Sequence, residues 1–266
     1  MKLAMYQGQP FLMKNSEYGQ PILDHPDIIS AAQIEPSALV LGEIQSIDAS
    51  LLEPPITFPR QIFAVGMNYR AHSAEIKLAL PKVPSLFTKF ASSLTGPNTT
   101  VKIHGDCTDW ETELVVVIGH GGRQIPVEQA TDHIAGYMVG EDISDRTVQF
   151  ANDPAQFSLG KSFEHYAPIG PWLTTPDELG DLTQLTITTR VNDETMQHES
   201  VSAMIFSPAQ LISYLSQIVD LQPGDLIFTG TPQGTGVGHD PQIFLRAGDE
   251  LTGEIDQLGK LTMKIQ

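Results

Sequence analysis

Two carboxylates two positions apart, Glu111 and Glu113, lead directly into the β-branched run of residues 115–118. Because side chains alternate across a strand, both acids share a face with alternate valines of that run. An ionised carboxylate on an apolar face is costly unless a positive group pairs with it, and residues 109–119 contain no Lys or Arg. Oxygen donors of this kind favour Mg2+ or Mn2+ over zinc or copper. From spacing alone, an edge strand with both acids in water is the commoner alternative.

A second candidate for chemistry is the pair His72 and Glu75 in the segment NYRAHSAE, residues 68–75, whose composition is compatible with a helix. Residues three apart on a helix share a face, so the carboxylate can hydrogen-bond the imidazole, fix its tautomer and raise its basicity. Such a dyad can activate water. From spacing alone, an exposed pair worth about a few tenths of a kcal/mol is the commoner alternative.

The elements after the acidic strand can bring a third acid to it. Residues 125–134, IPVEQATDHI, predict a short helix with Pro126 in its first turn, and the strand-like run AGYMVGEDIS, residues 135–144, follows. We therefore expect a strand, a crossover helix and a second strand, with Asp142 at a strand end. Because neighbouring side chains alternate, at most one of Glu141 and Asp142 joins the two glutamates.

Other polar residues carry weaker signals. Lys89 in the segment 84–100 could face a ligand, but a surface loop is its default position. Residues 155–162 imitate a phosphate-binding loop without its first Gly, and the Gly-rich run of residues 230–238 has the wrong spacing for a dinucleotide fingerprint. We therefore interpret both as loops without a nucleotide-binding role.

The composition restricts the partners of the chain. Its 266 residues include 15 basic and 32 acidic ones, and the net charge of -17 disfavours nucleic acid and anionic lipid surfaces. An anionic substrate would need local cations. Cys107 is the only cysteine, which excludes an intramolecular disulfide and favours a cytoplasmic location. Residues 1–15 contain no apolar core of the signal-peptide type, and no stretch approaches roughly 18 apolar residues, so neither secretion nor a membrane span is expected.

Prolines mark the predicted domain boundary. Residues 1–50 contain short apolar runs between turn formers and one short helix after Asp27. The three prolines within residues 54–59 are incompatible with a helix interior or a central strand. We therefore predict a small N-terminal β-rich region, residues 1–59, and a larger region, residues 60–266, that contains the candidate residues for chemistry.

The C-terminal half has the pattern of a scaffold. Residues 182–201 predict a hairpin that turns at Asn192-Asp193, and Ser207 with Gln210 forms a capping box that opens the clearest helix. The apolar stripe of that helix is Leu211, Ile212, Leu215, Ile218 and Val219. Strands predominate over helices, so the predicted fold class is α+β with a mixed, largely antiparallel sheet arrangement.

Five segments, taken in order, match a known pattern. They are NYRAHSAE (68–75), DWETELVVVIG (109–119), GYMVGEDISDRTVQ (136–149), GKSFEHYAPIGP (160–171) and LQPGDLIFTGTPQGTGVG (221–238). With this set the chain closely resembles the fumarylacetoacetate hydrolase family, from about residue 60 to residue 266. The resemblance implies that residues 60–266 form the family's catalytic domain, a β-rich mixed-sheet roll, with one Mg2+ or Mn2+ per subunit and a homodimer.

The resemblance also implies roles, position by position. The implied metal ligands are Glu111, Glu113 and Asp142. The implied water-activating dyad and cationic lysine are His72, Glu75 and Lys161. The implied substrate-binding side chains are Arg146, Gln149 and Thr231. Three departures leave the shape of the pocket open: Glu141 where Asn is common, Thr147 where Asp is common, and Phe90 where Pro is common.

The function implied is metal-dependent hydrolysis of a C–C bond in an acylpyruvate or related β-diketo acid, with a stabilised enolate and water activated by the dyad. The expected partner is a small anionic 2-oxo acid. The same enolate serves an isomerase, an oxaloacetate decarboxylase or a lyase, and the retained dyad favours hydrolysis among these. A non-catalytic metal- or ligand-binding protein is the alternative from another class.

Overall fold

The computed structural model describes residues 1–75 and 79–266, and strands dominate its regular structure. The strands are β1 (Lys2–Tyr6), β2 (Gln9–Met13), β3 (Tyr18–Pro21), β4 (Gln45–Ser46), β5 (Leu52–Glu53), β6 (Ile62–Gly66), β7 (Ser85–Thr88), β8 (Leu94–Thr95), β9 (Asn98–Val101), β10 (Thr108–Asp109), β11 (Thr112–Ile118), β12 (Ile134–Glu141), β13 (Ser144–Asp145), β14 (Ala167–Thr174), β15 (Thr186–Val191), β16 (Glu194–Ser200), β17 (Leu226–Phe228), β18 (Glu250–Ile255) and β19 (Gly259–Ile265). The α-helices are α1 (Ile28–Ala32), α2 (Arg70–Glu75), α3 (Arg146–Gln149), α4 (Phe157–Gly160) and α5 (Pro208–Ser216). The predicted α+β class is confirmed.

A large sheet of 12 strands and a smaller sheet of five form two packed layers. The order of the large sheet is β4-β3-β2-β1-β14-β12-β11-β17-β6-β7, with β5 beside β1 and β8 beside β14. The order of the smaller sheet is β16-β15-β18-β19-β9, and it packs across the centre of the larger one. Most neighbours are antiparallel, as predicted, and β17 with β6 is one of the parallel pairs.

The central strand β11 is buried on both faces, which explains its unbroken hydrophobic sequence. Leu114, Val116 and Ile118 point into the core between the two sheets. Val115 and Val117 point into a second core, which the N-terminal strands and α1 complete. The face of Val115 and Val117 is also the face of Glu113, so the acid lies where the second core reaches the end of the strand.

The predicted crossover helix between β11 and β12 is wrong. The two strands are antiparallel, and a 3-10 helix, Val127–His133, stands where the α-helix was expected. The connection binds to the end of the sheet instead of crossing its face. Gly119 N donates to His133 O at 2.8 Å, and Ile125 N donates to Ser216 Oγ, at the end of α5, at 2.9 Å.

The C-terminal hairpin and helix form as predicted, with one exception. Asn192 and Asp193 have φ values of 50° and 68° between β15 and β16, and Ser207 and Gln210 form the capping box of α5. The apolar stripe ends earlier than predicted, because α5 stops at Ser216 and Ile218 is 63% exposed.

The N-terminal strands extend the large sheet. β1 pairs with β14 in antiparallel register, so the sheet runs without a break from residues 1–59 into residues 60–266. The helix predicted after Asp27 is α1, and the Asp27 side chain caps it. The division at residue 59 stays a prediction.

Candidate active site

Three carboxylates lie together where the two central strands meet. Glu113 lies on β11, Glu111 directly precedes that strand, and Asp142 directly follows β12. Asp142 N donates to Glu111 O at 2.9 Å, which holds the two chain segments together. One oxygen from each carboxylate lies within 4.8 Å of the others, and all three residues are buried. The alternative of an edge strand with both glutamates in water is therefore wrong.

Three cations from other parts of the chain pair with this cluster. Lys161 Nζ donates to Glu111 Oε2 at 2.7 Å and to Asp142 Oδ2 at 2.8 Å. Lys89 Nζ donates to Asp142 Oδ1 at 2.6 Å, and Arg146 Nη2 donates to Glu111 Oε1 at 2.7 Å. The surface position expected by default for Lys89 is wrong, because its ammonium is buried against Asp142.

Within the described residues, Glu113 is the acid of this cluster that forms no ion pair with these cations. Its Oε2 accepts a hydrogen bond from Gly230 N at 2.7 Å. Burial raises the pKa of Glu113 well above its ordinary value, and the charges of Asp142 and Glu111 raise it further. Burial also acts to raise the pKa of Glu111, but the charges of Lys161 and Arg146 outweigh burial and lower that pKa. The cluster therefore contains one acid whose charge lacks compensation.

The donor set fits a hard divalent cation. All three donors are carboxylate oxygens, which Mg2+ and Mn2+ prefer. An octahedral ion with bonds of about 2.1 Å places its ligand oxygens roughly 3 to 4 Å apart, so the observed limit of 4.8 Å requires only small side-chain adjustments. A metal ion bound here would supply the positive charge that Glu113 lacks.

Glu141 points to the opposite face of the sheet, as the alternation of side chains predicts. Its Oε1 accepts from Glu111 N at 2.6 Å, and its other oxygen lies 2.7 Å from Thr112 Oγ1. Thr112 Oγ1 lies 2.7 Å from Thr189 Oγ1, which in turn bonds Gln197. Burial raises the pKa of Glu141 to about 8, so this carboxyl is mainly protonated at neutral pH.

The pair His72 and Glu75 forms on α2. His72 Nδ1 lies 2.7 Å from Glu75 Oε1, and the two side chains are only 7% and 17% exposed, so the exposed arrangement is wrong. Because Nδ1 faces a carboxylate, it carries the hydrogen, and Nε2 remains as the basic nitrogen. Glu75 Oε2 accepts from Gly234 N at 2.9 Å. A Cβ at Gly238 would lie 2.5 Å from Glu75 Cδ, so the Gly-rich loop approaches this closely only because it lacks side chains there.

Asp109 joins the same loop to Arg146. Its Oδ2 accepts from Arg146 Nε at 2.8 Å and from Arg146 Nη2 at 2.7 Å. Its Oδ1 accepts from Gly236 N at 2.6 Å, and Val237 N donates to Oδ2 at 3.0 Å. Arg146 Nη1 also donates to the Gln149 side-chain carbonyl at 2.8 Å, so the amide NH2 of Gln149 is the end that remains for a ligand.

A cavity of about 640 Å³ brings these groups together. All six residues expected to act in catalysis or substrate binding line it, together with Glu111. Thr231 lies there in the turn after β17, where its Oγ1 donates to Thr112 O at 2.9 Å and accepts from Gln197 Nε2 at 2.8 Å. The other two acids of the cluster are more deeply buried.

Sequence reasoning left Lys89 at a surface position by default and assigned no role to Asp109. Lys89 lies in a Ser- and Gly-containing segment that resembles a surface loop, and Asp109 reads as the polar start of a strand. Both interact with residues more than 30 positions away, so no local pattern indicates their partners. For Lys89, the signal that could have found it is that a buried cluster of acids requires buried cations.

Comparison with known proteins identifies related chains. The model of the family described as Fumarylacetoacetate (FAA) hydrolase C-terminal matches residues 61–266. The Bos taurus protein named oxaloacetate tautomerase FAHD2A, mitochondrial, is 43% identical over 213 residues, which cover 79% of this chain and 68% of the bovine chain. The protein of Sphingomonas sp. (strain SKA58) named 2,4-didehydro-3-deoxy-L-rhamnonate hydrolase is 40% identical over 268 residues, covering 93% of this chain and 94% of its own.

A solved structure shares the fold. The crystal structure of fumarylpyruvate hydrolase from Pseudomonas aeruginosa, in complex with Mn2+ and pyruvate, is similar with a TM-score of 0.71 and 33% sequence identity. The similarity covers 78% of this chain and 89% of the Pseudomonas chain.

Within residues 1–75 and 79–266, no helix has the length and apolar character needed to cross a membrane. The bovine relative is named as mitochondrial. The cytoplasmic location stays a prediction.

Proposed function

Because the chain belongs to the fumarylacetoacetate hydrolase family, we propose that it is a divalent-metal-dependent enzyme that hydrolyses a C–C bond in an acylpyruvate or a related 2-oxo acid. One observation carries the proposal. The cavity that reaches the buried acid cluster also contains the paired His72 and Glu75, a base suited to activating water. Hydrolysis needs both groups in one pocket.

We assign the metal ligands to Glu111, Glu113 and Asp142, which supply only oxygen donors. Bound there, Mg2+ or Mn2+ would act as a Lewis acid that polarises a 2-oxo group and stabilises the negative charge that develops in the reaction. The Pseudomonas fumarylpyruvate hydrolase, whose structure contains Mn2+ and pyruvate, supports this choice of ion and of substrate head group.

Positive charge in the pocket suits an anionic substrate. Burial acts to lower the pKa of Lys161, but the charges of Asp142 and Glu111 outweigh it and raise that pKa, so the ammonium keeps its charge at neutral pH. We assign to Lys161 the stabilisation of negative charge on the substrate. Arg146, through Gln149, and Thr231 orient the substrate head group.

The dyad performs the proton transfers in this proposal. His72 Nε2 removes a proton from water while Glu75 holds the imidazole. The hydroxide oxygen forms a bond to the distal carbonyl carbon of the acyl group. The bond between that carbon and C3 of the pyruvate unit then breaks, and the electron pair leaves on C3 as the enolate of pyruvate. The proton on His72 returns to C3, so water and acylpyruvate become a carboxylic acid and pyruvate.

Keto–enol isomerisation of oxaloacetate is the second candidate, and the observation that favours it is the 43% identity to the bovine protein named oxaloacetate tautomerase. In that reaction the same dyad would move a proton between C3 and the enol oxygen without adding water. Both candidates use a 2-oxo acid and a stabilised enolate, so turnover of several different substrates must distinguish them.

The deciding experiment measures turnover of acetylpyruvate, fumarylpyruvate, oxaloacetate and a 3-deoxy-2-oxo sugar acid with Mg2+, Mn2+ or EDTA. Wild type and Glu113→Ala are compared. Metal-dependent release of pyruvate from an acylpyruvate, lost in Glu113→Ala, supports the hydrolase. Acceleration of oxaloacetate enolisation alone would transfer the assignment to the isomerase, and pyruvate release that is unaffected by EDTA and by Glu113→Ala would reject the metal mechanism.

We further propose that the enzyme acts as a homodimer, in line with the family resemblance. Analytical ultracentrifugation of the full chain tests this, since a monomer has a mass of 29.0 kDa. A species of that mass at micromolar concentration would contradict the dimer.

A further inference from the structure

One wall of the catalytic cavity is aromatic. Phe87 on β7, Phe157 on α4 and Phe150, just after α3, all line the cavity although they come from three different elements. No step of the proposed reaction at the acid cluster requires aromatic rings. Their position beside the site therefore indicates that they contact a part of the substrate away from its reacting head.

The three rings form a continuous path that begins at the charged centre. Lys161 Nζ lies 5.1 Å from the centroid of the Phe87 ring. The Phe87 and Phe157 centroids are 5.5 Å apart with an interplanar angle of 64°, and those of Phe157 and Phe150 are 6.3 Å apart with an angle of 82°. A substrate head held near Lys161 thus has its first tail atoms within reach of Phe87 and its outer atoms within reach of Phe150.

The outer ring is open to solvent. Phe150 is 52% exposed, although it belongs to a residue type that is usually buried. An apolar group lying on this ring would remove apolar surface from water on both partners. The free protein thus has unused capacity for apolar contact at the outer end of the path.

Charges along the cavity disfavour a tail that ends in a carboxylate. Lys161 and Arg146 line the cavity, and both are already paired with buried acids. Among the lining residues that the structure describes, His239 is the remaining basic side chain beyond the dyad and these two cations, and the acidic Asp240 follows it directly. An anionic tail would meet phenyl rings and a negative neighbour.

We propose that the substrate's acyl tail is an alkyl or aryl group that lies along Phe87, Phe157 and Phe150, and that these rings select it over a tail with a second carboxylate. This inference rests on the proposed function, because it assumes that a 2-oxo acid head binds at the acid cluster. It adds the chemical class of the tail and makes Phe150 a specificity-determining residue.

The first test compares acylpyruvates with one head and different tails. We expect kcat/KM for hexanoylpyruvate and benzoylpyruvate to exceed that for acetylpyruvate by at least about tenfold, since each fully buried methylene contributes about fourfold. Fumarylpyruvate should fall below both. Equal values for the four substrates, or a preference for fumarylpyruvate, would overturn the inference while leaving the hydrolase assignment intact.

Variants of single rings test which residue causes the selectivity between acyl tails. Phe150→Ala should lower the benzoyl-to-acetyl ratio of kcat/KM by about fivefold to tenfold, mainly through KM, and Phe150→Lys should shift the preference towards fumarylpyruvate. The matched control is Phe58→Ala, because Phe58 is 91% exposed and does not line the cavity. It should leave the ratio unchanged. An unchanged ratio in Phe150→Ala would reject the assignment of this ring.

A binding measurement separates this inference from the proposed function. Titration calorimetry with phenylpyruvate and with 2-oxoglutarate, in the presence of Mg2+, compares an aryl tail with a carboxylate tail and needs no turnover. Stronger binding of phenylpyruvate that is lost in Phe150→Ala supports the inference even if no acylpyruvate is cleaved. Equal affinity for the two acids would overturn it.

Discussion

The two faces of the central strand pair carry buried carboxyl groups that the protein uses differently. On one face, Glu113 lies in a cluster with two other acids, three cations pair with those two acids, and the catalytic cavity reaches the cluster at Glu111. On the other face, the hydrogen bonds of the Glu141 side chain within the described residues are to a backbone N–H and to the hydroxyl of Thr112. The two side chains belong to residues next to each other across β11 and β12, because Thr112 pairs with Glu141 and Glu113 pairs with Gly140.

The difference lies in charge compensation. Lys89, Lys161 and Arg146 all reach the first face, where Lys161 and Arg146 lower the pKa of Glu111, and Glu113 is the acid that a bound metal ion would compensate. No ion pair to Glu141 occurs within the described part of the chain, and burial raises its pKa to about 8. A charged cluster that opens on a cavity can bind a cation and an anionic substrate, whereas a neutral carboxyl between two sheets serves as a hydrogen-bonding group.

The largest effect should follow from replacing the carboxylate of Glu113, which we assign as a metal ligand. We expect Glu113→Gln to lower metal-dependent turnover by at least about a thousandfold, since a Lewis-acid metal contributes several kcal/mol to the transition state. Calorimetric titration with Mn2+ checks the cause. Glu141→Gln, the equivalent change on the other face, should keep the Mn2+ affinity within about threefold, and equal losses in both variants would remove the distinction between the faces.

A smaller effect is expected when a substitution removes one cation from the first face. Lys89→Met should lower the free energy of unfolding by about 3 kcal/mol, because it leaves Asp142 with one ammonium fewer in a buried position. Urea denaturation in EDTA measures this without a contribution from metal binding. The control is Lys14→Met at an exposed position, and a loss in Lys89→Met no larger than that of the control would show that Lys161 alone suffices.

The neutral state of Glu141 predicts a pH dependence. Its folded pKa of about 8 lies above the ordinary 4.5, so between these values the unfolded chain binds fewer protons and wild type loses stability as pH rises. The loss is about 1.4 kcal/mol per pH unit, present in wild type and absent in Glu141→Gln. Between pH 5.5 and 7.0 the stability difference should therefore shift by about 2 kcal/mol in favour of the variant.

Chemical denaturation in EDTA at both pH values measures this shift. Glu254→Gln on the exposed side of β18 is the control and should show no such change. A constant difference between wild type and Glu141→Gln would mean that Glu141 is ionised in the folded protein.

The smallest effect is expected in the hydrogen-bond chain of the second face. Thr189 Oγ1 lies 2.7 Å from Thr112 Oγ1 and 2.6 Å from Gln197 Oε1. Thr189→Val should cost about 1 to 2 kcal/mol of unfolding free energy, because it leaves buried polar atoms without a partner. Thr188→Val, at a partly exposed neighbour, should change stability by less than about 0.5 kcal/mol, and similar losses in both would argue against a buried chain.

Local rules predicted much of the site. The two-residue period of a strand put Glu111 and Glu113 on one face and separated Glu141 from Asp142, and the helical spacing of three residues paired His72 with Glu75. The same rules located the hairpin and the capping box. Each of these features depends on residues at most a few positions apart along one element.

Local rules failed where a feature depends on contacts between distant segments. The pattern favoured a crossover helix after β11, but whether that segment crosses the sheet or binds to its end depends on α5, about 80 to 90 residues later. Lys89 resembled a surface lysine because nothing near it in sequence shows that it will lie beside Asp142, 53 residues away.

The sequence by itself therefore determined which residue types carry the chemistry and which face of each element they occupy, because side-chain direction is set by the backbone period. Only the tertiary structure decided which buried acids have a cation beside them and which do not. That outcome depends on where the cations of distant segments come to lie, and a buried charge is stable only beside a partner that folding has brought to it.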